Sequence, residues 1–118
     1  MRDLPACPPT PNCVSTQAER TRQRMEPIPY TGPLSAARER MRRVLQSLPR
    51  TTIVEEGPDL LRAESRSLLF RFVDDVEIRF DDAAKLVHFR SASRVGRSDF
   101  GVNRQRMENV RQAFLAEP

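Results

Sequence analysis

Tryptophan is absent from the 118 residues, and tyrosine and histidine occur once each. A nucleic-acid site built on stacked aromatics is therefore not expected. The two cysteines are too few for a disulfide-dense scaffold or a four-ligand zinc site. There are four glycines, and none is followed by the Gly-Lys-Ser/Thr of a nucleotide phosphate loop. No apolar run approaches the roughly 18 residues of a membrane span. The start, Met1-Arg-Asp-Leu-Pro5, has no apolar core of the signal-peptide kind. A cytoplasmic chain without a transmembrane segment is therefore expected. No cofactor fingerprint is present, so no cofactor is expected.

What is present is arginine and, at one end, proline. Lys85 is the only lysine among 20 basic residues, which face 16 acids for a net charge of +4. The charge is unevenly spread, at +5 over residues 1–50, −3 over 51–93 and +2 over 94–118. Seven of the ten prolines lie in residues 1–33, where no helical or strand period recurs. Proline fixes φ and lacks a donor. Residues 1–33 therefore read as an extended arm, loose or laid over the domain by Ile28 and Tyr30.

The remaining residues, 34–118, read as an α-β-β-β-β-α unit. Leu34, Ala37, Met41, Val44, Leu45 and Leu48 form one apolar stripe, opened by Pro33 and closed by Pro49. Strands are predicted over 51–56, 60–65, 70–80 and 85–91, with a turn at Gly57-Pro58 and another at 81–84. Leu61, Ala63 and Ser65 share one face, Phe70, Phe72, Asp74, Val76, Ile78 and Phe80 share one parity, and Val87, Phe89 and Ser91 another inward one. Connections this short cannot join parallel strands. A second stripe, Met107, Val110, Phe114 and Leu115, predicts a helix with Asn103 or Asp99 as N-cap. The expected fold class is α+β: a four-stranded antiparallel meander with both helices packed on one face, preceded by the proline-rich arm.

Three places depart from this pattern. Asp74 falls on the face expected to be buried, where an unpaired carboxylate is costly. A bulge or bend at Asp74-Asp75 is the favoured explanation, ahead of a paired buried aspartate or a functional acid. Residues 90–106 hold five arginines with two glycines and three serines, running from a strand end into a helix start. Guanidinium forks and free helix N–H groups suit an anion. On that reading Arg90, Arg94 and Arg104 are clamps, and Ser91, Ser93 and Ser98 are donors. Alternatively, those arginines pair Asp74, Asp75 and Asp99 and merely fix the loop. The third departure is Cys7-x5-Cys13, which could close a disulfide, remain as free thiols, or bind a metal if His88 were within reach. No metal is expected, and His88, on the outer parity with Arg90, reads as a surface residue.

Cys7-Pro-Pro-Thr-Pro-Asn-Cys-Val-Ser-Thr-Gln17, Phe72-Val-Asp-Asp-Val-Glu77 and Arg90-Ser-Ala-Ser-Arg-Val-Gly-Arg-Ser-Asp-Phe-Gly-Val-Asn-Arg104 resemble the signatures of the bacterial and plastid family catalogued as domain of unknown function 1499. The resemblance continues to Arg106 and Glu108. It implies no activity. It does place Cys13, Asp74, Asp75, Arg90, Ser91, Ser93, Arg94, Gly96, Asp99, Gly101, Asn103 and Arg104 on family motif positions. The expected function is non-catalytic binding of a small anionic ligand or an acidic partner, by a monomer, through Arg90, Ser91, Ser93, Arg94, Gly96, Asp99, Asn103 and Arg104. The alternative is a redox or thiol-dependent enzyme using Cys13 with Asp74 or Asp75. Nucleic-acid binding ranks last, because its signal is electrostatic alone.

Overall fold

A computed structural model describes residues 3–67, 72–96 and 101–117. Its elements are β1 (Cys13–Ser15), β2 (Ile28–Pro29), α1 (Leu34–Ser47), β3 (Thr51–Gly57), β4 (Leu60–Arg66), β5 (Val73–Asp81), β6 (Leu86–Ser93) and α2 (Val102–Ala116). The chain folds as α+β, with both helices on one face of a single antiparallel sheet. The strand order is β1-β6-β5-β4-β3, and β2 also pairs β6.

The sheet therefore has six strands, where four were expected, and no free proline-rich arm is seen. The two extra strands come from the first 33 residues. They pair with β6 at Cys13↔Ala92, Val14↔Ser91, Ser15↔Arg90 and Ile28↔Val87. Backbone bonds from Thr16 N–H to Phe89, Tyr30 N–H to Lys85 and Ser93 N–H to Asn12 fill the gaps. The cause is the edge that a four-stranded meander would leave: unpaired N–H and C=O groups along all of β6. Strands of three and two residues are too short to show a period in sequence.

Parity on the core strands holds. Rows Phe80–Val87–Ile28 and Leu61–Ile78–Phe89 cross the inner face, and all six residues are buried. Ala37, Met41, Val44 and Leu45 of α1, and Met107, Val110 and Phe114 of α2, close over them. The Arg40 guanidinium lies 4.0 Å above the Phe114 ring and ties the two helices. Leu115, expected in the buried stripe, is 54% exposed. Phe72, expected on the buried face, is 51% exposed, because it lies past Asp74, the last β5 residue that α2 bonds. Phe70 lies outside the described residues. The bulge expected at Asp74-Asp75 is not there: β5 pairs without a break from Val73 to Asp81, and the irregularity sits in β3, between Ile53 and Glu55.

Because Ile28 is fully buried in the same core as Phe80 and Val87, Ile28→Ala should cost about 2–4 kcal/mol. Chemical denaturation checks this; a loss under about 0.5 kcal/mol would mean that residues 3–30 do not belong to the cooperative unit.

Candidate functional site

The inner face of the sheet changes character toward one end. Beyond the apolar rows comes Ala63–Val76–Ser91–Val14, and then the polar row Thr51–Ser65–Asp74–Ser93. The first turns of α2 lie against this polar end. α2 opens at Gly101, whose φ of 80° is the left-handed conformation glycine tolerates. Asn103 is not an N-cap but sits inside the first turn, fully buried, with its side chain turned to the sheet.

Asn103 and Arg106 organise that end. Ser91 Oγ donates to Asn103 Oδ1 at 2.6 Å, and Asn103 Nδ2 donates to Ser93 Oγ and to the Asn12 carbonyl. Asn12 donates in turn to the Gly96 carbonyl at 2.9 Å. Arg106 Nη1 reaches Asn103 Oδ1 and Ser91 Oγ, and Nη2 reaches Asp74 Oδ2 at 2.7 Å. The Asp74 and Arg106 side chains are only 10% and 14% exposed. Asp74 is thus a paired buried aspartate. An ion pair this dry is strongly coupled, since removing either partner strands the other charge.

The three arginines expected to clamp an anion are engaged separately. Arg94 makes a bidentate pair with Asp75 at 2.8 Å and bonds Glu64 at 2.7 Å, all on the outer face. These carboxylates push its guanidinium pKa up. Arg90 is half-buried and donates to the Ala6 carbonyl, while its Nε is buried without a partner. Desolvation holds its pKa down. Arg104 donates to the carbonyls of Arg22 and Arg24. Ser91, Ser93 and Asn103 do come together, with Asp74 but not with those guanidinia. Gly96, at φ 92°, closes the loop through Asn12. Ser98 and Asp99 lie outside the described residues.

Cys7 and Cys13 form a disulfide, with α-carbons 5.8 Å apart. Cys13 pairs with Ala92 on the outer face, beside Asp75, whereas Asp74 points to the helices. Also on the outer side, Thr16 Oγ1 accepts from Phe89 N–H and lies 2.8 Å from His88 Nδ1. Burial lowers the His88 pKa and so favours its neutral form.

Two clefts border these groups. One, of about 520 Å³, runs between Asp3–Cys7 and Gln17–Gln23, and its charged lining is mixed: Asp3, Glu19 and Arg20. The other, of about 250 Å³, opens beside the buried pair and is lined by Arg50, Arg66 and Arg106 with Thr51, Ser65, Gln105 and Asn109. Among the described residues its lining has no carboxylate. Sequence reasoning missed this set. Ser65 and Asp74 stood on inward parity and could have been grouped, but nothing in the sequence brings Arg50 and Arg66 to α2.

The family model described as protein of unknown function, DUF1499, matches residues 3–114. The chain belongs to that family. A search of curated proteins finds no match. The matched span of this DUF1499 chain includes the whole polar network and all three arginines of the smaller cleft.

His88 gives a pH dependence whose sign is fixed. Its folded-state pKa lies below the ordinary 6.5, so the stability of the neutral form is complete above that value. It is lost as pH falls from 6.5 through the folded-state pKa. Thermal melts between pH 7.5 and 5 should show this loss, and His88→Gln should flatten the curve over that range.

Proposed function

We propose that this protein is a non-catalytic module that binds a small anion in the cleft between the β3–β4 strand ends and α2. The reading rests on three guanidinia, those of Arg50, Arg66 and Arg106, bordering one cleft of about 250 Å³; among the described residues no carboxylate lines it, the partners of Arg106 and Arg66, Asp74 and Glu64, lying outside the lining. Forked donors around a polar wall suit bidentate recognition of phosphate or carboxylate. The volume is below that of a drug-sized pocket, which favours a compact anion such as inorganic phosphate or a small dicarboxylate. Within the segment 90–104, the residues that serve this site are Ser91, Ser93 and Asn103, which position Arg106.

Two further features support the reading. Arg50 adopts φ 53°, a left-handed conformation unfavourable for a residue with Cβ, and is held there by mutual bonds with Arg66. Strain of this sort is concentrated at functional positions. In addition, an interior row of Ser65, Asp74 and Ser93 beneath α2 is expensive to satisfy, and apolar residues of similar volume would serve stability as well.

Isothermal titration with inorganic phosphate and small dicarboxylates tests the proposal. Arg66→Gln and Arg50→Gly should each weaken binding about ten-fold, the scale of one charged hydrogen bond. Arg50→Gly should meanwhile leave stability unchanged or raise it by up to about 1 kcal/mol, because glycine accepts the left-handed conformation. Failure of every anion to bind, or unchanged binding by both variants, would overturn it.

A further inference from the structure

Among the described residues, seven arginines form ion pairs: Arg42, Arg43, Arg62, Arg66, Arg79, Arg94 and Arg106. Five others gather where the first residues of the chain meet α2, and among the described residues none of them forms one. Arg20, Arg22 and Arg24 are exposed, and their side chains make no hydrogen bond among the described residues. Arg104 and Arg111 sit two turns apart on α2 and donate to the carbonyls of Arg22, Arg24, Glu26 and Pro27. A carbonyl satisfies a guanidinium hydrogen bond but does not neutralise its charge. Glu19, Glu26 and Glu108 lie on the same segments, also outside any ion pair, so the patch retains +2. Leu115, one turn past Arg111, is exposed beside it.

We infer that this patch is a docking surface for an acidic polypeptide segment. It is separate from the anion cleft, because Arg22, Arg24, Arg104 and Arg111 line neither cleft. The two α2 arginines are held rigid by their carbonyl bonds, which fits fixed carboxylates better than the mobile head groups of a bilayer. Arginine without lysine also matches the composition of protein interfaces. Nucleic acid fits less well, because among the described residues the patch offers no exposed aromatic for stacking.

The test is binding of the full chain to poly-L-glutamate, with anionic phospholipid vesicles and duplex DNA as the other arms. The triple variant R20Q/R22Q/R24Q changes side chains without partners, so its melting temperature should stay at the wild-type value. Its affinity for polyglutamate should fall about 30-fold, roughly three-fold per exposed pair lost. R42Q/R43Q/R62Q removes the same net charge at paired positions and should lose no more than about three-fold. The inference is overturned if polyglutamate does not bind, or if both triple variants lose affinity equally. Tighter binding to vesicles or DNA than to polyglutamate would also overturn it.

Discussion

The Asp74–Arg106 ion pair is the constraint on which the polar end of the molecule depends. It joins the middle strand of the sheet to the second turn of α2 at 2.7 Å, with both side chains largely out of water. Arg106 also bonds Ser91 and Asn103, and Asn103 bonds Ser93 and the Asn12 backbone. One guanidinium and one amide thus set the register among β5, β6, α2 and the first residues of the chain. A half-satisfied network there would be worse than an apolar core, so its members stand or fall together.

Elsewhere arginine plays a different part. Arg90, Arg104 and Arg111 all donate to main-chain carbonyls of residues 6–27. That stretch has short strands and many prolines, so its carbonyls find few regular partners. Long forked donors from β6 and α2 reach them where lysine, with a single nitrogen, would bond fewer at once. Together with the Cys7–Cys13 disulfide, this turns an irregular segment into the cover of the sheet edge.

Much of the fold was legible in the sequence because it follows from periodicity. The 3.6-residue stripe at Ala37–Leu45 and the alternation at Val76–Phe80 are local signals, and both helices and four strands appear as read. Alternation also put Ser65, Asp74 and Ser91 inward. It could not say which arginine answers Asp74, because Arg106 is 32 residues away and lies on α2, not on a strand. A bulge was expected at Asp74 because a buried carboxylate is costly; the partner removed the need for one. β1 and β2 were illegible because two or three residues carry no period. Arg50 and Arg66 were illegible as site residues because only the sheet's register and the position of α2 bring them to one cleft.

The interior ion pair thus fixes α2 against the sheet. A double-mutant cycle in Asp74→Asn and Arg106→Met, followed by chemical denaturation, tests the central claim most directly. Each single change should cost about 3 kcal/mol, and the double variant no more than either, for a coupling of at least about 3 kcal/mol. Additive effects, or single losses below about 1 kcal/mol, would contradict it.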